Sequence, residues 1–202
     1  MQSHAQAVVI GGGVVGCSVL YHLTKAGWTD VVLLERSELT SGSTWHAAGG
    51  MHTINGDPNV AKLQQYTIEL YDEIEELSGQ SIGLHLTGGV FLAATNERFD
   101  WLKSMHAKGL YLGMDTEIIS PKEAADIFPL LDPDKFVGAM SDPLEGHLDP
   151  SGTTWAYAKA AQKNGAVIHQ QTRVTDLQQN QDGSWCVITE QGEIHKFTCE
   201  QN

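Results

Sequence analysis

A glycine-rich turn near the start of the chain constrains its fold more than any other feature. The run Gly11–Gly16 has the spacing G-x-G-x-x-G and follows a short apolar segment, residues 7–10. That segment has the composition of a buried parallel strand, residues 14–26 that of a helix, and residues 31–34 that of a second strand. Glu35 ends the second strand, nineteen residues after the last glycine. Strand, turn, helix, strand and terminal carboxylate together predict a dinucleotide-binding βαβ unit.

Each part of this unit has a physical role in holding a pyrophosphate. Gly11 permits a tight turn, Gly13 lets the pyrophosphate approach the backbone, and Gly16 lets the helix pack closely on the strand. The helix N-terminus offers free N–H groups and the positive end of its dipole to the phosphates. Glu35 can accept hydrogen bonds from both hydroxyls of an adenosine ribose. The alternative is an ordinary glycine-rich turn in an unrelated α/β protein.

Length, charge and cysteine usage narrow the class of protein. A chain of 202 residues with 41% hydrophobic content suits one large domain, or one domain with part of a second. The net charge of −13 argues against nucleic acid and anionic membrane surfaces as main partners. No apolar run is long enough to span a membrane, and the first residues lack the pattern of a secretory signal. The three scattered cysteines have no metal spacing, so we expect buried free thiols, no metal site and a cytoplasmic location.

Periodicity predicts the remaining elements. A capping box at Ser120 begins a helix that ends by Pro129, and Ser151 is expected to cap a later helix. Residues 37–55 are expected to form a long polar loop, which is uncommon unless the loop is functional. The other helices are predicted at residues 60–77, 97–108 and 153–163. The other strands are predicted at residues 84–94, 117–119, 136–140 and 166–168, with three antiparallel strands at 174–177, 184–189 and 193–197.

The loop after Glu35 carries the most specific motif, Thr40-Ser41-Gly42-Ser43-Thr44-Trp45-His46-Ala47-Ala48-Gly49-Gly50. On this motif the chain resembles the flavin-dependent amine oxidoreductases related to D-amino-acid oxidase, and within them the dimethylglycine and sarcosine dehydrogenase branch. The resemblance continues through residues 83–85, 88–93, 127–131 and 145–150, and so covers essentially the whole chain. It implies that the dinucleotide is FAD.

The resemblance also implies roles for individual residues. Gly11, Gly13 and Gly16 would hold the FAD pyrophosphate, and Glu35 the adenosine ribose. His46 would be bonded covalently to the 8α carbon of the flavin ring, the alternative being that it only contacts the flavin. The other implied cofactor-binding residues are Val14, Val15, Arg36, Ser43, Thr44, Ala48, Gly49 and Val174.

Three further polar residues have two interpretations each. Asp149 is expected to satisfy the start of the following helix, although it lies in a family motif. His147 and His85 could approach the flavin or substrate, or serve structural roles. No catalytic base and no cation for a substrate carboxylate is assigned.

The resemblance further implies a fold of the α/β class. We expect a glutathione-reductase-like, Rossmann-type FAD/NAD(P)-binding domain, interrupted by the beginning of an inserted α+β substrate domain. The FAD-binding domain would occupy residues 1–81 and 146–202, and the partial substrate domain residues 82–145. Family members continue with a second FAD-contacting segment and often a C-terminal folate-binding module. We therefore expect the chain to be truncated, and residues 1–202 alone to be inactive and to hold FAD poorly.

The implied reaction is oxidative demethylation of an N-methylated glycine, dimethylglycine or sarcosine. A hydride equivalent would pass from the N-methyl carbon to flavin N5, and the resulting iminium would be hydrolysed to formaldehyde or captured by tetrahydrofolate. The electron acceptor is not identified. The alternatives are a flavin oxidase of another amine or amino acid, a non-catalytic regulatory relative and, less consistent with the His46 loop, an NAD-dependent dehydrogenase.

Overall fold

A computed structural model describes residues 3–196 of the chain. The helices are α1 (Val14–Lys25), α2 (Pro58–Ser78), α3 (Asn96–Tyr111), α4 (Pro121–Ile127) and α5 (Pro150–Lys163). The strands are β1 (His4–Ala5), β2 (Ala7–Ile10), β3 (Val31–Leu34), β4 (Gly50–Met51), β5 (Gly89–Ala93), β6 (Glu117–Ile119), β7 (Gly138–Asp142), β8 (Gly146–His147), β9 (Val167–His169), β10 (Val174–Gln179), β11 (Trp185–Thr189) and β12 (Gly192–Lys196). None of the described helices combines the length and the apolar character needed to cross a bilayer.

The chain divides into two compact units. The first unit comprises the residues up to Ala48, Tyr71–Gly83 and the residues from Asp149 onward. The second unit comprises Gly49–Leu70 and Leu84–Leu148. The predicted domains instead place residues 49–70 in the first segment, and the domain boundaries stay a prediction.

A parallel sheet of order β2-β3-β9 forms the centre of the first unit. Ala7 pairs with Val31 and Ile10 with Leu34, while β9 pairs with the other side of β3. All four residues of β3 are buried, as expected for the central strand of a parallel sheet. The predicted strand–helix–strand order across the glycine turn is confirmed.

A second sheet of the same unit, of order β1-β12-β11-β10, shares a core with the parallel sheet. The core cluster joins Val32 and Leu34 of the parallel sheet to Val187 and Ile194 of the second sheet. The three antiparallel strands that the sequence predicts are present as β10, β11 and β12. The prediction missed β1, which is only two residues long and pairs in parallel with β12.

Helices α1 and α5 pack against each other in the first unit. The rings of Tyr21 and Tyr157 lie 5.7 Å apart between them, and alanines on α5 allow the helices to approach closely. The N-cap of α5 is Asp149, whose carboxylate accepts the Ser151 N–H at 2.9 Å. The predicted cap at Ser151 is therefore wrong, because Pro150 already occupies the first helical position. The expectation that Asp149 satisfies this helix start is confirmed.

The second unit is built on an antiparallel sheet of order β5-β7-β6. Met140 and Leu102 join one side of this sheet to α3, and Ala139 and Ala124 join the other side to α4. The capping box of α4 is formed by Ser120 and Glu123, as predicted. Between residues 84 and 94 only β5 is a regular strand, and Gly88, with φ +72°, precedes it.

The long polar loop is more ordered than predicted. Thr44–His46 form a 3-10 turn within it, and β4 pairs with β8 further along. His85 also bridges to His147 of β8, and the two residues exchange backbone hydrogen bonds of 2.8 and 3.0 Å. These pairings are long-range in sequence, so local periodicity does not reveal them.

Candidate functional site

The glycine turn between β2 and α1 is closed so tightly that two of its positions require glycine. Gly11 has φ +107°, and its N–H donates to the carbonyl of Leu34 at 2.9 Å. A Cβ on Gly16 would lie 1.9 Å from the carbonyl oxygen of Gly11. No side chain fits there, because the atom that it would meet belongs to the backbone.

The N-terminus of α1 opens directly from this turn. Gly13 is the N-cap and forms no side-chain capping hydrogen bond, and the first turn contains no acidic residue. The Val14 N–H donates to Thr44 Oγ1 at 3.0 Å, and a Cβ on Gly13 would lie 3.1 Å from the same oxygen. Val15 is 74% exposed. The first turn of the helix therefore adds no negative charge of its own to the positive dipole end, which suits an anionic phosphate.

Glu35 is held in place at the end of β3. The side chain is buried, and its carboxylate accepts the N–H of Gly12 at 2.6 Å and that of Ser37 at 2.7 Å. A Cβ on Gly12 would lie 2.9 Å from the Cβ of Glu35. Each carboxylate oxygen has two lone pairs, so Glu35 retains acceptor capacity for ribose hydroxyls after both backbone bonds.

Cys17 lies beneath the turn, on the first helical turn of α1. Its thiol is 3.8 Å from the carbonyl oxygen of Gly12 and is completely buried. Burial, with a smaller contribution from the negative charge of Glu35, raises the pKa of Cys17 to about 12. Cys17 and Cys186 are buried free thiols as predicted, whereas Cys199 lies outside the described residues.

The loop after Glu35 is anchored to the glycine turn at several points. The N–H of Thr40 donates to the Gly12 carbonyl at 3.0 Å, and Thr40 adopts φ +72°, which is unusual for a β-branched residue. The Leu39 N–H donates to Gln170 Oε1 at 2.8 Å. Sequence reasoning missed Gly12, Thr40 and Gln170. Gly12 is the middle one of three consecutive glycines but stands outside the motif spacing, and Thr40 begins the loop motif without an assigned role.

His46 ends the 3-10 turn of this loop, with an exposed ring. Its Nδ1 lies 3.1 Å from the Gly42 carbonyl oxygen, and its ring centroid lies 3.8 Å from that of Trp45. A carbonyl oxygen only accepts hydrogen bonds, so Nδ1 carries the proton. In the neutral imidazole the lone pair is then on Nε2.

The described contacts unite part of the predicted cofactor set. Hydrogen bonds join the glycine turn, Glu35 and Thr44. Gly49 belongs to the second unit, and Val174 packs against the core cluster of the first. The residues of the set that are exposed, with no described contact to the glycine turn, are Arg36, Ser43, His46 and Ala48.

The two histidines of uncertain role meet in the second unit. The rings of His85 and His147 lie 5.0 Å apart, and both residues are exposed. Over residues 3–196 no group of three or more His, Cys, Asp or Glu side chains could hold a metal ion. Contacts of His85 and His147 with flavin or substrate stay predictions.

The first unit thus fits the adenosine and pyrophosphate portions of a dinucleotide. Gly16 leaves no room for a Cβ beneath the turn, the first turn of α1 contains no acidic residue, and the buried carboxylate of Glu35 lies beside the turn. These three features occur on residues that the sequence singled out for this purpose.

Comparison with known proteins gives the same cofactor class. A family model described as "FAD dependent oxidoreductase" (DAO) matches residues 6–199. The solved structure of L-proline dehydrogenase from P. horikoshii superimposes with a TM-score of 0.89 at 29% identity. That match covers 97% of this chain and 52% of the other.

Three curated relatives match over most of this chain. Dimethylglycine dehydrogenase from Rattus norvegicus is 42% identical, covering 96% of this chain and 22% of the relative. The pyruvate dehydrogenase phosphatase regulatory subunit from Mus musculus is 37% identical, and the match covers 96% of this chain and 22% of the relative. Human sarcosine dehydrogenase is 37% identical, and the match covers 88% of this chain and 19% of the relative. The chain therefore spans about a fifth of the length of these relatives.

Proposed function

Because this chain belongs to the DAO family of FAD-dependent oxidoreductases, we propose that it holds FAD for the oxidation of an N-methylated glycine. The observation that carries this proposal is a pair of hydrogen bonds at the glycine turn, from the Gly12 N–H to Glu35 and from the Val14 N–H to Thr44, beside the N-terminus of α1. Bound FAD would supply the hydride-accepting N5 of its ring. Identity to dimethylglycine and sarcosine dehydrogenases favours dimethylglycine or sarcosine as substrate.

The proposed contacts divide along the cofactor. The glycine turn and the first turn of α1 bind the pyrophosphate, and Glu35 accepts from the adenosine ribose. The proposed set of cofactor-binding residues is Gly11, Gly13, Val14, Val15, Gly16, Glu35, Arg36, Ser43, Thr44, His46, Ala48, Gly49 and Val174. In this set Val14 acts through Thr44, which accepts its N–H, whereas the N–H groups of Gly13 and Val15 would donate to the phosphates.

Covalent attachment of FAD through His46 is part of the proposal. The ring is exposed, and the hydrogen bond from Nδ1 to the Gly42 carbonyl leaves the lone pair on Nε2. Acid precipitation of the full-length native protein tests the link. The pellet should stay yellow, and a His46→Gln variant should give a colourless pellet. A colourless wild-type pellet would remove the covalent link but leave non-covalent FAD binding intact.

Turnover separates the proposed substrates. Full-length native protein should oxidise dimethylglycine or sarcosine with an artificial electron acceptor and release formaldehyde. Tetrahydrofolate is proposed as the acceptor of the one-carbon unit, so its addition should lower free formaldehyde without slowing flavin reduction. Faster oxidation of L-proline or of a primary amino acid would favour the alternative of a different amine or amino acid oxidase.

A second candidate is a non-catalytic regulatory role. It is favoured by the identity to the phosphatase regulatory subunit over 96% of this chain. The two candidates differ in a direct measurement, since a regulatory protein would bind FAD or a partner without reducing the flavin when amines are added.

The location in the cell is a separate question. The three relatives described above carry mitochondrial names, whereas the sequence predicts a cytoplasmic location. That location stays a prediction, and cell fractionation tests it.

A further inference from the structure

We propose that Thr44 and Trp45 are positioning residues that prepare His46 for attachment to FAD, an inference that rests on the proposed covalent link. The two residues precede His46 in the same 3-10 turn but act in different ways. Thr44 fixes the turn to the phosphate-binding helix. Trp45 fixes the orientation of the imidazole ring.

Thr44 connects the His46 turn to the glycine turn. It is buried, and its hydroxyl oxygen accepts the Val14 N–H at 3.0 Å in the place of a helix cap. Its carbonyl accepts the Ala47 N–H at 3.1 Å, so the backbone on both sides of His46 is held. The absence of a side chain on Gly13 makes room for this contact. The Thr44 hydroxyl therefore joins the 3-10 turn that contains His46 directly to the first turn of α1.

Trp45 and Gly42 restrain the imidazole itself. The indole lies against the ring with centroids 3.8 Å apart and planes inclined by 34°. The Gly42 carbonyl lies 3.1 Å from Nδ1 and selects the tautomer with the lone pair on Nε2. Stacking limits rotation of the ring, and the hydrogen bond decides which nitrogen is nucleophilic.

The attachment step balances as follows. His46 Nε2 forms a bond to the 8α methyl carbon, from which one C–H bond breaks and the hydrogen leaves as a proton. The Nδ1 proton is released as the imidazole returns to neutrality. The two electrons set free pass to an external two-electron acceptor, for which dioxygen suffices. The rate of this step depends on how much of the time Nε2 is correctly oriented.

Attachment kinetics test the proposal. Full-length apo-protein is mixed with FAD in air, and samples are taken over time. Acid-stable flavin in the pellet and acid-released flavin in the supernatant are measured separately. We expect Trp45→Ala and Thr44→Val to slow formation of acid-stable flavin by about tenfold. Trp45→Phe and Thr44→Ser, which keep a ring and a hydroxyl, should restore most of the rate.

Two controls separate positioning from a general structural effect. Trp101 is also exposed but stacks on Arg98 in the second unit, so Trp101→Ala should attach FAD at the wild-type rate. The ¹⁵N resonances of His46 in the apo-protein give a second readout. They should show a protonated Nδ1 in the wild type and exchange between tautomers or orientations in Trp45→Ala.

The outcomes distinguish this inference from the proposal beneath it. Wild-type protein that releases all its flavin into acid overturns the covalent link and the positioning roles together. A covalently labelled wild type with unchanged rates in Trp45→Ala and Thr44→Val overturns the positioning roles alone. Slowing that the conservative variants do not rescue also overturns them, since it points to loss of folding.

Discussion

Glu35 shows at the scale of one residue how the cofactor site is held together. Its carboxylate accepts the N–H groups of Gly12 and Ser37, and a glutamine would place an NH₂ group against one of these donors. Hydrogen bonds to a charged group contribute about 1.5–3 kcal/mol, so Glu35→Gln should weaken FAD binding by about tenfold or more. Titration of apo-protein with FAD in the His46→Gln background, where no covalent bond forms, measures the change. The exposed neighbour Glu38 is the control, and equal weakening by Glu38→Gln would refute the assignment.

Cys17 gives a prediction on reactivity. Its pKa is raised to about 12, mainly by burial, and only the thiolate reacts with alkylating agents. At pH 8 an ordinary thiol is partly ionised, so Cys17 in the folded protein should react on the order of 10³-fold more slowly. Raising the pH should increase the rate without a plateau below about pH 11. Peptide mapping after iodoacetamide treatment measures the alkylation rate of Cys17. Rapid labelling at pH 8 in native buffer would show that the thiol is accessible to the reagent and contradict this prediction.

Helix α5 illustrates at the scale of one element where sequence patterns mislead. Serine is a common N-cap residue, which is why the sequence favours Ser151. In the structure the carboxylate of Asp149 instead accepts the N–H of Ser151, the first free N–H of the helix. Replacing an N-cap residue by alanine costs about 1 kcal/mol, so Asp149→Ala should lower the free energy of unfolding by that amount. Ser151→Ala should change it by much less. Urea denaturation of both variants measures the difference, and the reverse order would restore the sequence-based assignment.

Most helices and strands could be predicted from the sequence, because the spacing of apolar residues and the positions of glycine and proline determine the local backbone over only a few residues. The βαβ unit and the α4 capping box follow from such signals, and both are present. Contacts between distant positions had no such signal. One example is the hydrogen bond from the Val14 N–H to the Thr44 hydroxyl, which joins residues thirty positions apart. Another is the positive φ of Thr40. Both depend on how the loop returns to the glycine turn. The family motif pointed to the correct loop, but the geometry of its anchoring required the structure.

At the scale of the whole molecule, each unit has its own apolar core. The cluster around Val32 and Ile194 is built from residues of the first unit, and those around Met140 and Ala139 from residues of the second. Apolar contacts of this kind supply most of the stability of a folded unit. A defect inside one core should therefore be detected first in the strands that share it.

Gly138 allows this expectation to be tested. A Cβ there would lie 2.3 Å from the ring of Phe99, so Gly138→Ala should force α3 away from its sheet and destabilise the second unit by about 1–3 kcal/mol. Hydrogen exchange of the full-length protein should accelerate in β5, β6 and β7 while β2, β3 and β9 keep their protection. Gly56→Ala, whose Cβ meets nothing within 4 Å, is the matched control and should leave every strand unchanged. Equal acceleration in both sets of strands would mean that the two cores unfold as one cooperative structure.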